Sequence, residues 1–343
     1  MTDIRVGVIG VGRFGRLHIQ VLQQIPGCIV TAVADIDERL LRQVAGQYGI
    51  ARAYPNPDEL IRSDEVDVVD IITDESSHGS LGILALEYEK HVFIEKPIAT
   101  SVADAETIYR LSREKNRQAM VGNISRFGQP YALLNRYVES GVLGDIGHIR
   151  TKRDFSREWF QRFGKRVHPV YESGIHDLDL ILWYAKSVCR EVYAVERNLS
   201  GYRHPDLFTA ILTFENGIVA TIESAWLVPA KAPQNLVETL ELGGTIDARI
   251  EIVGSKSSAR FGTLDTGLSV WTDNDVRIPD YLLWPTEHGE IGGAIRAELK
   301  HFIRQVGLNE ESRIAPLADS VESLRIADAI VRSASLRQPV RLT

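Results

Sequence analysis

The stretch YESGIHDLDLILWY, residues 171–184, places a histidine among three carboxylates on what otherwise reads as a buried helix. If the turn is helical from its start, Glu172, His176 and Asp179 fall at i, i+4 and i+7, within roughly 60° of one another. Ile175, Leu178, Leu182 and Ala185 mark a separate apolar stripe. An imidazole titrates near neutral pH, so it can accept a proton from a reacting hydroxyl and return it. A carboxylate one turn away can bind a substrate hydroxyl or orient the ring. The same residues also suit a helix that begins near Ser173, with Asp177 and Asp179 answering the positive end of its macrodipole. What the rest of the chain binds decides between these readings.

Lys96 is the second residue with chemical potential. It stands between Glu95 and Pro97, directly after the apolar run His91–Ile94. At the carboxyl end of a buried parallel strand it would lie near the crevice where such sheets bind ligands. The alternative is a surface ion pair between Glu95 and Lys96.

A third group lies near the N-terminus. The apolar run Ile4–Ile9 leads into GVGRFG, in which Gly10, Gly12 and Gly15 form a G-x-G-x-x-G that encloses Arg13 and Phe14. Phe14, Leu17, Val21 and Leu22 follow at helical spacing. A strand before the motif and a helix after it make it a dinucleotide fingerprint. The glycines permit a tight turn and let a pyrophosphate approach backbone N–H groups at the helix N-terminus. The next apolar run, IVTAVAD, ends at Asp35, about twenty residues beyond Gly15, where a dinucleotide site needs a carboxylate for the ribose 2′-OH. That charge favours NAD over NADP, whose 2′-phosphate it would repel. Arg39 would favour the phosphate only if turned inward.

These residues require a particular scaffold. Strands at 66–73, 91–94 and 119–122 alternate with helices at 81–87 and 101–116, the pattern of a doubly wound parallel sheet. Thr73 and His78 follow one strand end, and there His78 either touches the cofactor or faces solvent on a helix. From Gly147 the texture changes to strands with few long helices between them: 147–156, 208–214, 217–223, 235–242 and 246–253. ENG at 215–217 is a hairpin signal. In 147–156, Arg150, Lys152 and Asp154 share one face, and Thr151, Arg153 and Phe155 the other. Helical patterns at 292–306 and 319–335 close the chain. Residues 156–170 are rich in arginine and aromatics. They read either as a substrate loop, with Trp159 or Phe160 stacking on a sugar and Arg153 or Arg157 meeting an anion, or as an anchored surface loop. Trp226 and residues 281–284 suit sheet packing or a subunit contact better than a cleft.

Composition sets the outer limits. The 343 residues suggest two domains, and 25% charged with 44% hydrophobic residues describe a globular protein. A net charge of −7 argues against a nucleic-acid partner. Cys28 and Cys189 match no metal or redox spacing, no Cys/His cluster is present, and no metal is expected. No apolar run reaches the ~20 residues of a membrane span, and MTDIRVGVIG has no signal-peptide core, so a cytoplasmic location is expected.

Together, the N-terminal fingerprint, EKP after the 91–94 strand and ESGIHDLD resemble the glucose–fructose oxidoreductase / inositol dehydrogenase / MocA family. NISRFGQPYALLNRYVESGVLGDIGHIR and the ending SASLRQPVRL extend the resemblance over essentially the whole chain. It implies an N-terminal Rossmann domain and a C-terminal α/β domain with a large, mainly antiparallel sheet, whose open face builds dimers or tetramers. It implies that Lys96 stabilises developing alkoxide charge, that His176 transfers the proton, and that the carboxylate at 172 assists. The family's aspartate is Glu172 here, one methylene longer, and Asn123 replaces a histidine common among relatives.

The resulting expectation is a Rossmann domain over 1–122 and a substrate and oligomerisation domain over 123–343, with the last helix able to pack back on the first. The cofactor residues expected are Gly10, Gly12, Arg13, Phe14, Gly15, Asp35, Thr73, His78, Glu95 and Lys96. Lys96, His176 and Glu172 would be catalytic, and Arg153, Arg157 and Trp159 would meet the substrate. The expected activity is NAD-dependent hydride transfer between nicotinamide and a secondary hydroxyl or keto carbon of a sugar or polyol. Reduction of a C=N or C=C bond on the same scaffold, or a non-catalytic NAD(H) sensor, are the alternatives.

Overall fold

Ile4–Ile9 (β1) loses solvent on both faces over its second half, as a strand does when helices cover both sides of a sheet. The computed structural model describes residues 3–235, 243–265 and 267–342. Around β1 lie β2 (Cys28–Ala34), β3 (Arg52–Tyr54), β4 (Val68–Ile71), β5 (His91–Ile94) and β6 (Ala119–Val121). They form one six-stranded sheet in the order β3-β2-β1-β4-β5-β6, and every pairing is parallel. The connecting helices are α1 (Arg13–Gln23), α2 (Glu38–Tyr48), α3 (Pro57–Arg62), α4 (Glu75–Glu87) and α5 (Val102–Glu114). Strand order reverses beside β1, which opens a ligand crevice at the carboxyl ends of β1 and β4. Helix α4 starts six residues earlier than the apolar pattern from Leu81 suggests, because Asp74 caps it by accepting from the Ser76 N–H.

The second unit begins with α6 (Gln129–Glu139) and β7 (Ile146–Phe155), followed by α7 (Arg157–Phe163). A π-helical turn, Val170–Gly174, runs without a break into α8 (Ile175–Ala185). Then come β8 (Cys189–Arg197), β9 (Leu207–Phe214), β10 (Val219–Ala225), β11 (Ile246–Gly254) and β12 (Ser258–Gly262). With the short strand Val340–Arg341 they form a seven-stranded sheet, ordered β12-β11-β7-β10-β9-β8 and ending on that strand. Only the β7–β10 pairing is parallel. The β9–β10 hairpin closes at Gly217, whose φ of +85° favours glycine. Phe208, Ala210 and Leu212 of β9 and Ala220 and Ile222 of β10 are buried, and α8 packs against this sheet through β7 and β10. The expected strand at 235–242 falls on residues 236–242, outside the described residues, apart from Asn235.

The chain then returns to the first unit. Helix α9 (Gly293–Leu308) packs against α1 and the 3₁₀ turn Ile124–Phe127. The Phe302 ring on α9 packs tilted against Phe93 of β5, with centroids 5.4 Å apart. Helix α10 (Leu317–Leu336) is divided between the units, which comprise 1–127 with 282–324, and 128–281 with 325–343. The contiguous division at residue 122 therefore differs from the observed one. Apolar periodicity marks α9 as a helix but does not say which sheet it covers.

Phe302→Ala should lower the stability of the first unit by about 3–5 kcal/mol. Guanidinium unfolding followed by Trp284 fluorescence is the measurement. A loss below about 1 kcal/mol would mean that α9 is peripheral to that core.

Candidate functional site

The loop from β1 to α1 is shaped by backbone contacts. Gly10 has φ +91°, and a β-carbon there would overlap the carbonyl of Ile72. A β-carbon on Gly15 would overlap the Gly10 carbonyl oxygen. Gly12 differs from both, since its missing β-carbon faces open space with no protein atom within 4 Å. Neither φ nor packing calls for glycine there, and the space suits a close-approaching ligand. Helix α1 has no side-chain cap hydrogen bond at Gly12 and no acidic residue in its first turn, so the positive end of its dipole suits an anionic ligand.

Asp35 directly follows β2 beside the loop. Its carboxylate accepts from the Val11 N–H and the Asp37 N–H, both at 2.9 Å. A carboxylate has about four acceptor positions, so capacity remains for a ribose hydroxyl. The neighbouring Ile36 is 88% exposed, an apolar surface beside the carboxylate of the kind an adenine ring covers. These features fit a bound dinucleotide. Arg13 is exposed at the loop, and the Phe14 ring packs against His18 and Trp284, at 5.0 and 5.8 Å.

The strand ends after β4 and β5 are tied together. His78 is 1% exposed, so the solvent-facing alternative is removed. Its Nδ1 lies 2.7 Å from the Pro97 carbonyl and its Nε2 3.2 Å from the Thr73 carbonyl. Thr73 is half-buried and accepts at Oγ1 from Ser77. The Lys96–Pro97 peptide is cis, and Lys96 is half-buried. Glu95 is not part of a surface ion pair. Its carboxylate is buried, 3.5 Å from His18 Nε2, and it accepts from the Lys96 N–H at 3.2 Å. His18 in turn meets Asp70 at 3.0 Å. Burial alone would lower the pKa of His18, but Asp70 and Glu95 outweigh it and raise it to about 10. Asn123 is buried and donates to Ser320.

In the second unit the turn carrying Glu172 and His176 differs from the expected α-helix. It begins at Val170 rather than near Ser173, and Glu172 lies on the π-helical stretch. Residues in a π turn bond i to i+5 and advance less than 100° each. The four steps from Glu172 to His176 therefore sum to nearer a full turn, which brings the two half-buried side chains closer to one line. Ser173 holds this turn. Its Oγ donates to the Pro169 carbonyl at 2.9 Å and accepts from Trp226 Nε1 at 3.0 Å, so the 2.7 Å contact with Ser224 must be donated by Ser224. Gly174 leaves room for the Phe208 ring, which a β-carbon would meet at 2.7 Å.

Two of the expected substrate residues are corrected. Arg153 points inward and binds Asp177 Oδ1 through Nε and Nη2, at 3.1 and 2.8 Å. Burial opposes the Arg153 charge, and Asp177 and Tyr131 maintain it. The pair also takes Asp177 away from helix capping, the role first open to it. Trp159 is buried against Phe155 and donates to the Gly243 carbonyl, so it presents no stacking face. Phe160 packs on Tyr202 and Trp226. Alternation along β7 already set Arg153 beside Thr151 and Phe155, and that is the buried face. Arg157 alone of the three is exposed. Among the described residues no cluster of three His, Cys, Asp or Glu side chains could hold a metal ion, and no helix is long and apolar enough to cross a membrane.

Residues 4–123 match the model of an oxidoreductase family with an NAD-binding Rossmann fold, and residues 131–260 match the GFO/IDH/MocA C-terminal domain. The chain belongs to the Gfo/Idh/MocA oxidoreductase family. Similar family members include myo-inositol 2-dehydrogenase of Thermotoga maritima, 27% identical over 99% of this chain and 98% of its own length. The NAD(+)-dependent scyllo-inositol 2-dehydrogenase of Bacillus subtilis is 26% identical over 99% and 96%. Among solved structures, scyllo-inositol dehydrogenase of Lactobacillus casei with bound NAD(H) and scyllo-inositol superposes with a TM-score of 0.83, at 19% identity and 99% coverage of both chains. That last similarity is one of fold.

Replacing Arg153 with Ala should cost about 3–5 kcal/mol, because it strands the Asp177 carboxylate in the interior. Chemical denaturation measures the loss. A variant of unchanged stability with weakened substrate binding would return Arg153 to the substrate site.

Proposed function

We propose that this protein is an NAD-dependent dehydrogenase that oxidises a secondary hydroxyl of a cyclic polyol or related sugar. The observation that carries the reading is near full-length similarity to inositol 2-dehydrogenases. The open face of Gly12, the uncapped start of α1 and the Asp35 carboxylate support NAD as the cofactor. Bound NAD⁺ supplies the hydride acceptor for the hydroxyl-bearing carbon. His176 takes the hydroxyl proton as general base, and returns it when the reaction runs toward the alcohol. The Lys96 ammonium stabilises the alkoxide charge that develops as the proton leaves. Glu172 accepts a hydrogen bond from a substrate hydroxyl or orients His176. The reading includes a homodimer or homotetramer, supported by Tyr193 of β8 and Ile211 of β9, paired across the strands and both exposed.

The test is NADH formation by purified protein with NAD or NADP, against inositols, aldoses, sugar acids and nucleotide sugars. Turnover of an inositol with NAD is the expected result. Silence across the panel despite tight NADH binding overturns it.

His176→Ala should reduce kcat by about a hundredfold or more, while the Kd for NADH stays within about threefold. Unimpaired turnover would make the histidine structural. Asp35→Ser should weaken NAD by about 10- to 100-fold, the worth of a charge-assisted hydrogen bond, and NADP much less. Equal loss with both cofactors would refute the ribose contact.

A further inference from the structure

His18 is a fully buried titratable group of the first unit that the proposed reaction does not use. It sits one turn into α1, fully buried, with its ring between Phe14 and Phe93 at centroid distances of 5.0 and 5.8 Å. The acidic groups that face it are Asp70 from β4, at 3.0 Å from Nδ1, and Glu95 from the end of β5, at 3.5 Å from Nε2. From β2, Cys28 feels the Asp70 charge as well. Replacing a buried ion pair with apolar residues of similar size is often neutral or stabilising, so stability alone does not account for a histidine between two carboxylates.

The geometry shows what they hold. Glu95 is wedged against Gly122, where a β-carbon would overlap its Oε1, so the carboxylate has little freedom on that side. Its other oxygen accepts from the Lys96 N–H. On the far side of Lys96, the Pro97 carbonyl is held by His78. The backbone at 96–97 is thus clamped from both ends, by α1 through Glu95 and by α4 through His78.

We propose that His18 is a positioning residue for Lys96, acting through the Glu95 carboxylate that it holds in place. The inference rests on the role given to Lys96 in the proposed function, but the contact chain does not. Removing the imidazole charge frees Glu95 to move within its pocket, and both the backbone and the electrostatic field at Lys96 change with it. The long Nε2–Oε1 distance makes this an ion pair rather than a short hydrogen bond, so a neutral residue of similar size would not replace it.

The test uses the full chain and the variants His18→Gln and Glu95→Gln. Lysines are labelled by reductive ¹³C-dimethylation, and the Lys96 signal is assigned by its loss in Lys96→Arg. In both variants the Lys96 resonance should shift and its titration midpoint should move by at least about half a pH unit, the other lysines being unchanged. With the best substrate, kcat of His18→Gln should fall by about 10- to 100-fold while its NADH affinity changes less than threefold. An unmoved Lys96 signal in either folded variant overturns the proposal, whatever the activity. A moved signal in a protein that oxidises no polyol keeps the positioning link and overturns the dehydrogenase reading instead. If His18→Gln does not fold, Glu95→Gln alone decides.

Discussion

Helix α1 approaches the end of β1 so closely that residue 15 has no room for a β-carbon beside the Gly10 carbonyl. Much of the first unit follows from this contact. It brings the uncapped N–H groups of α1 to the carboxyl edge of the sheet, where Asp35 and the turn after β4 also emerge. Backbone links from Gly10 to Ala34 and from Ile72 to Ile9 hold the three strand ends in register, so a shift in any one of them would displace all the groups around the loop. The same approach carries His18 under the sheet edge to Asp70 and Glu95. One steric condition, met by glycine alone, therefore joins the start of α1 to the end of β5, just before Lys96.

The second unit solves an analogous problem with a polar hub. A π turn is less favourable than the α-helix it interrupts and persists where its surroundings over-determine it. Here the surroundings are Ser173, whose one hydroxyl meets Pro169, Ser224 and Trp226, and Gly174, which admits the Phe208 ring. The Arg153–Asp177 pair then fastens the next turn to β7. His176 is flanked in sequence by groups that are all committed inward, and its half-exposed position is what the anchoring of those neighbours leaves over.

Several features of the fold and the site were legible because they are local. Apolar runs identified five of the six parallel strands, all but the three-residue β3 (Arg52–Tyr54), and the glycine spacing marked the loop between β1 and α1. The hydrogen bond from Val11 to Asp35 joins loop and carboxylate. What was misjudged depended on partners far away in the chain. Arg153 and Trp159 look like surface recognition residues in an arginine-rich, aromatic segment, and only Asp177 and Gly243 turn them inward. The π turn could not be anticipated, since it arises from contacts with β9 and β10 rather than from the propensities of Tyr171, Glu172 and Ser173.

The sequence by itself determined the parallel sheet, the glycine loop after β1 and the family. Periodicity, glycine placement and residue type are properties of short segments, and those conclusions need nothing more. The tertiary structure alone decided that 282–324 rejoins the first unit, that His18 rather than solvent faces Glu95, and that Glu172 rides on a π turn. Each of these is a choice among partners that are equally apolar or equally charged in sequence. Only burial, which makes an unpaired charge costly and a misplaced ring a void, selects one of them.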